Sequence, residues 1–274
     1  MVFDQYFLYF FLYAMIGYVC EVLYCSIPLK RFVNRGFLHG PYLPIYGFGA
    51  LIVVVSLSFF NAHPIVVFLV AMALTSALEY VTSYLLEKIF NTKLWDYSKH
   101  FANINGRVCL LNATLFGLMG LVATYWIHPA LTRFVSHIPD GVLHPLSSGL
   151  LFIISVDATS SIFRMAAFQK QLAEFRLRTK ELEERIEVLA KQGCTPSLDR
   201  LRTRLDEERE ELKARLNRQS RRFLNAFPSI TSKSQEQKVQ LELLKMNLRE
   251  YRSKMQEQRQ RLHTAAKELK NRGK

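Results

Sequence analysis

Five apolar stretches fill the chain up to Phe163. Each is about 20 residues long, the length that carries a helix across ~30 Å of hydrocarbon. They read as spans at about 3–27, 42–60, 65–86, 108–127 and 142–163. In hydrocarbon a backbone must satisfy its own polar groups, which leaves a helical bundle as the fold for runs of this kind. The expected class is therefore all-α, with a polytopic membrane domain over residues 1–164 and a cytoplasmic helical coiled-coil tail over residues 165–274.

Charge divides the chain at the same point. Residues 1–163 hold 8 Lys/Arg and 7 Asp/Glu, whereas the whole chain holds 36 and 23, so nearly all of the +13 net charge lies in the tail. The first run is expected to be a span rather than a cleavable leader. No basic residue precedes it, it outruns a leader core of about 7–15 residues, and no small-x-small site follows. Pro28 is expected to end it.

Orientation follows from the basic residues. Lys30, Arg31 and Arg35 follow the first span, Lys88, Lys93, Lys99 and Arg107 follow the third, and Arg164 opens the basic tail after the fifth. The turn Asn61-Ala62-His63-Pro64 has no Lys or Arg, and the expected loop His128–Gly141 has only Arg133. The N-terminus is thus expected outside and the tail in the cytoplasm.

Three carboxylates sit within the spans: Glu21, Glu79 and Asp157. A carboxylate in a membrane segment costs roughly 2.5–3.5 kcal/mol on insertion scales, so it faces protein or a wet cavity and marks a functional candidate. All three lie on outward-to-inward helices, about six or seven residues or ~10 Å before the expected cytoplasmic end. That depth suggests one inner cluster, with Arg35 and Arg107 as counter-charges. Ser76, Glu79, Thr82 or Ser83 and Leu86 recur at helical spacing, so Glu79 lies on a polar stripe, and the Glu87–Lys88 pair is read as the helix exit. Two hairpins echo each other: Glu21 is followed by Asn34-Arg35-Gly36, and Glu79 by Asn105-Gly106-Arg107, in each case before a glycine-bearing helix. Parallel internal repeats are a known transporter device. The alternative is structural, with carboxylates that pair only to hold helices together.

Other residues say less. Cys20, Cys25, Cys109 and Cys194 show neither C-x-x-C nor metal spacing. His39 and His100 are near in topology, but no H-x-x-x-H or H-E-x-x-H pattern occurs, and no metal is expected. Trp95-Asp96-Tyr97 reads as an interfacial anchor with Asp96 in a loop. Gly47 and Gly49 allow close approach of a backbone or a ligand. No nucleophile–base pair is present, so the chain is not expected to be an enzyme.

Three blocks carry a resemblance. They are N-R-G-F-L-H-G-P-Y-L-P-I-Y-G-F-G-A (Asn34–Ala50), L-E-Y-V-T-S-Y-L-L-E-K (Leu78–Lys88), and K-L-W-D-Y-S with F-A-N-I-N-G-R-V-C-L-L-N (within Lys93–Asn112). Over most of residues 5–165 the chain resembles the bacterial family of ABC-transporter type IV, CmpB-like, integral membrane proteins. The resemblance implies a permease component of the bacterial plasma membrane. No P-loop G-x-x-x-x-G-K-[ST] and no EAA-type coupling motif occurs in the sequence. The chain therefore carries no cofactor of its own, and in an ABC system ATP would be bound by a separate subunit.

The tail has its own periodicity. Met165, Phe168, Leu172, Phe175, Thr179, Leu182, Ile186 and Leu189 alternate three and four apart, a heptad seam. Gly193 stops that helix, and Thr195 with Pro196 starts another, carrying Leu198, Leu201, Leu205 and Leu212. Pro228 breaks the pattern before a third seam from Leu241 to Leu269. Three such helices imply an antiparallel bundle or an oligomerisation stalk. The positive charge suits anionic lipid headgroups or a protein partner. Nucleic acid is not expected, because the charges alternate with Glu and no recognition module occurs. Two function classes follow: a permease with Glu21, Glu79 and Asp157 lining a polar path, or a membrane scaffold whose tail recruits partners.

Overall fold

The computed structural model describes residues 2–30, 32–57, 63–191, 203, 207, 224–227 and 230–232. The seams from Leu198 to Leu212 and from Leu241 to Leu269, together with Cys194, Asn61 and Ala62, lie outside the described residues. The chain divides into two units. The first comprises residues 1–169 and 225–231, and the second residues 170–224 and 232–274. Of the second, the described part is mainly helix, where an exposed Lys170–Glu174 pair at 4.0 Å spans one turn. Such a pair contributes little.

The first unit is mostly helical. Its helices are α1 (Val2–Leu29), α2 (Pro44–Leu57), α3 (Pro64–Phe90), α4 (Leu110–Val122), α5 (His128–Ser136) and α6 (Asp140–Lys191), the last running on into the second unit. Among the described residues four stretches are long and apolar enough to cross a membrane: Val2–Ile27, Pro64–Phe90, Leu110–Ser136 and Asp140–Gln171. Their outward faces carry exposed Val19, Leu69, Leu118, Phe152 and Ile153, as lipid-facing positions do. The second expected span is a shorter apolar helix of 14 described residues.

Several boundaries differ from the sequence reading. Pro28 sits in the last turn of α1, and the reversal is made by Lys30 at φ 47°. Glu87 and Lys88 do not mark an exit, because α3 continues to Phe90 and is ended by Asn91 in the left-handed conformation. Residues His128–Ser136, expected as loop, are helical, joined to α4 through one π-type turn at Ala123–Ile127.

The shortness of α2 has a geometric cause. Residues 32–43 are not helical and run back along α1. The Val33 amide donates to Ser26 Oγ at 3.0 Å and the Leu43 amide to the Ala14 carbonyl at 2.9 Å. From Ser26 to Ala14 is about 18 Å along a helix at 1.5 Å per residue. Leu38 and Tyr42 pack there with Ala14, flanked by Phe11, Ile154 and Ala158. Half of this passage is thus extended chain and half is helix. The second return, between α3 and α4, is extended too. It folds into an antiparallel ladder pairing Asn103 with Cys109 and Ile104 with Val108. Its turn is closed by the Arg107 amide donating to the Ile104 carbonyl at 3.0 Å, with Asn105 at φ 52° and Gly106 at φ 67°. Two successive positive φ values are what a type I′ hairpin requires, and Asn-Gly is its preferred pair.

Glycines set the close contacts between helices. A Cβ on Gly17 would overlap the Tyr46 ring, one on Gly120 would overlap Ala71, and one on Gly117 would meet Phe68. Gly17→Ala is therefore expected to lower stability by about 1–3 kcal/mol through overpacking. Gly141→Ala, where a Cβ meets nothing within 4 Å, is expected to be neutral or slightly stabilising. Thermal melting of the detergent-solubilised proteins measures both.

Candidate functional site

Two helices present polar faces. On α1, Tyr13, Gly17 and Glu21 follow one another at four-residue spacing. On α3, Ser76, Glu79, Ser83 and Glu87 do so at three- and four-residue spacing, and Glu79, Ser83 and Glu87 are buried.

Glu21 is closed by the first return segment and by α2. Its Oε1 accepts from Arg35 Nε at 3.2 Å and from the Cys25 thiol at 3.6 Å. Its Oε2 accepts from the Tyr46 hydroxyl at 2.6 Å. Asn34 Oδ1 accepts from the Gly36 amide at 3.0 Å and bends the segment around Arg35. Arg35 also donates to the Ala226 carbonyl at 2.9 Å, with its guanidinium over the Phe227 ring. Burial works against the Arg35 charge, but Glu21, Cys25 and Tyr97 together outweigh it and the guanidinium is held above its ordinary value.

Glu79 faces the second return segment. Its Oε1 accepts from the Tyr97 hydroxyl at 3.3 Å. Its Oε2 is buried and has no hydrogen-bond partner among the described residues. The Tyr97 phenol is pushed up by burial, and the charges of Glu79 and Glu21 add to this while Arg35 opposes it. Tyr97 therefore remains a protonated donor to Glu79, within electrostatic reach of Glu21 and Arg35. The rest of the return segment is fixed around it. Trp95 Nε1 donates to the Arg107 carbonyl at 3.1 Å, Asp96 Oδ1 accepts from the Ser98 amide at 3.1 Å, and Asn105 Nδ2 donates to the Tyr80 hydroxyl at 3.0 Å.

Two expectations change here. Arg107 is not a counter-charge to Glu79. It pairs with Glu87 at 2.6 Å, both side chains being buried, and lies over the rings of Tyr80 and Tyr84. The extension of α3 to Phe90 keeps Glu87 on the helix face that meets Arg107. Nor do the three carboxylates share one set of partners. Asp157 Oδ2 accepts from the amides of His39 at 2.9 Å and Gly40 at 2.8 Å and from the Tyr42 hydroxyl at 2.7 Å. Its Oδ1 accepts from the His39 amide at 2.9 Å and lies 2.8 Å from His39 Nδ1. Ser161 and Arg164 also bond the His39 ring. Asp157 is a saturated clasp on the first return segment. Trp95 and Tyr97 likewise point into the hairpin network instead of standing only as surface anchors.

The sequence reading missed Tyr46, Glu87 and the His39–Tyr42 clasp. The Asn105-Gly106 pair carried a signal for the hairpin. Nothing in the local sequence signals that Tyr46 reaches back to Glu21 across helices. Among the described residues no three His, Cys, Asp or Glu side chains converge to hold a metal ion.

The family described as "Putative ABC-transporter type IV" matches residues 8–162. The chain belongs to this family. The match contains Glu21, Arg35, Glu79, Tyr97, Arg107 and Asp157, so every group of the buried centre and of the clasp lies within the family region except Ser161's neighbour Arg164 and the Ala226–Phe227 contact. This type IV family member is a multi-pass, transporter-related membrane protein. No curated protein and no solved structure matches the chain.

The Glu87–Arg107 pair gives a direct test of packing in this region. Arg107→Ala leaves a buried carboxylate behind, and breaking a buried pair costs about 3–5 kcal/mol. Adding Glu87→Gln to Arg107→Ala is expected to restore most of that loss. A double variant no more stable than Arg107→Ala would show that the pair is not the source of the effect.

Proposed function

We propose that the chain is the permease component of a transporter, with the ATPase on a separate chain and no cofactor or enzymatic step of its own. Cargo passes the centre formed by Glu21, Arg35, Glu79 and Tyr97. The Lys/Arg bias supports a plasma-membrane orientation with the N-terminus outside and the tail in the cytoplasm. Family membership supports a transport role, and the position of Glu79 supports this centre.

Glu79 is the observation that carries the reading. It is 5% exposed on an apolar span, and one of its carboxylate oxygens has no partner among the described residues. A carboxylate that serves only to hold helices has its acceptors filled, as Asp157 does. The Glu79 oxygen is instead free to meet a passing group, at a cost that an apolar replacement would avoid. The non-helical return segments fit the same picture, since extended backbone at membrane depth is tolerated where it is buried in protein or lines a polar cavity.

A scaffold reading draws on the other two carboxylates. Glu21 and Asp157 are both saturated, as helix staples are, and the tail seams would then recruit partners or a second copy of the chain.

The two readings separate in one experiment. Tagged wild type and Glu79→Gln are extracted from their own cells in gentle detergent and their partners read by mass spectrometry. Solute pools of the same cells are compared with those of a strain lacking the protein. The permease reading expects a stoichiometric ATPase with both proteins, and a Glu79→Gln solute profile matching the deletion. No ATPase, with a Glu79→Gln profile matching wild type, would overturn it.

A further inference from the structure

We propose a second polar site, distinct from the Glu21–Glu79 centre: a chamber formed by Tyr13, Thr124 and His128 that binds water. It lies where the helix from Leu110 to Ser136 departs from regular geometry. At Ala123–Ile127 one π-type turn intervenes, and the His128 amide reaches back five residues to the Ala123 carbonyl. Single turns of this kind frequently mark functional sites.

Thr124 shows what the turn changes. Elsewhere in the spans, and on either side of the turn in this same helix, threonine hydroxyls bond back to a carbonyl four residues earlier: Thr75 to Ala71, Thr114 to Leu110, Thr132 to His128 and Thr159 to Ser155. That habit satisfies a hydroxyl inside the apolar layer. Thr124 breaks it. Its Oγ1 is inaccessible to solvent and has no partner among the described residues. The same holds for the Tyr13 hydroxyl and for His128 Nδ1.

The three groups are neighbours. Thr124 and His128 are one turn apart on the same helix. The His128 ring stacks on Tyr13, with centroids 6.4 Å apart and planes at 18°, and meets the edge of Tyr9 at 5.3 Å. Tyr13 is only 3% exposed and sits in an apolar core with Leu8, Val54, Ala123 and Leu143. Buried polar groups in such a core require partners.

Chemistry selects the guest. The walls offer two hydroxyls and one imidazole nitrogen, which together can donate and accept. The acidic groups nearest along α1 are engaged elsewhere, Asp4 with Ser147 and His144 and Glu21 with Arg35, and Arg133, five residues beyond His128, is exposed. A charged guest would find no counter-charge, whereas water needs two to four polar partners and meets three.

The site extends the α1 stripe. Tyr13 precedes Gly17 and Glu21 on one face, and Tyr46 covers Gly17 while donating to Glu21. The chamber lies about 12 Å from Glu21 along the helix, with Tyr46 between. Its use as the outward continuation of the cargo path rests on the permease reading, but its hydration does not.

Two measurements on the full-length protein in lipid nanodiscs test the hydration. In synchrotron hydroxyl-radical footprinting, which labels side chains beside bound water, Tyr13 and His128 are expected to be oxidised at rates near those of exposed tyrosines, and buried Phe10 to be protected. In a background with the native cysteines replaced by serine, Thr124→Cys is expected to react with a small methanethiosulfonate at least about tenfold faster than lipid-facing Val122→Cys, because the thiolate forms only where water reaches it. Protection of Tyr13 and His128 together with equal slow rates at positions 124 and 122 would overturn the chamber. A wet chamber in a protein without flux would retain this site and remove the permease reading; a dry one in a protein with flux would do the reverse.

Discussion

Backbone that is neither helical nor paired in a sheet must find its hydrogen bonds outside itself, and Asp157 supplies them for residues 39 and 40. One carboxylate takes the amides of His39 and Gly40 and the hydroxyl of Tyr42. The clasp therefore lets residues 32–43 lie against α1 as extended chain. The position of that chain fixes where α2 begins, opposite Ala14. Because α2 begins there, Tyr46 reaches Glu21 and Arg35 reaches the same carboxylate from the other side. A charge outside the Glu21–Arg35–Tyr46 contacts thus sets their geometry.

The two hairpins solve one problem with different parts. Each sends a helix in one direction and returns as extended chain bearing an arginine that pairs with a carboxylate of the preceding helix: Arg35 with Glu21, and Arg107 with Glu87. The first return is held by a carboxylate from α6, the second by its own Asn-Gly hairpin and by Trp95. The offset between Glu21 and Glu87 in the two pairings is what leaves Glu79 with only a neutral phenol for company.

Much of this was legible in the sequence, and the failures have physical reasons. Apolar length announced the long helices, and the spacing of Ser76, Glu79 and Ser83 announced the polar face of α3. The end of α3 was misplaced because Glu87 and Lys88 look solvated, whereas Glu87 is buried against a guanidinium 20 residues away in sequence. The stop is Asn91, whose left-handed conformation is a backbone property that its neighbours do not reveal. Residues His128–Ser136 read as loop because histidine, proline and arginine interrupt the apolar run, yet the helix continues through Pro129 directly after the π-type turn at Ala123–Ile127. The partners of Asp157 could not be read at all, since a separation of more than 100 residues leaves no local trace. The tail periodicity falls largely outside the described residues.

The division of the first hairpin into extended chain and short helix has a mechanical consequence. Where α1, α2, α3 and α4 meet through Gly47 on Phe10, Gly117 on Phe68 and Gly120 on Ala71, backbones touch almost directly, and sliding one past another would force atoms through each other. Beside Arg35 and Tyr97 the contacts are side-chain hydrogen bonds on extended chain, which can be exchanged one at a time. Packing at those glycines therefore resists sliding, whereas the hydrogen bonds of Arg35 and Tyr97 can be rearranged without moving a helix.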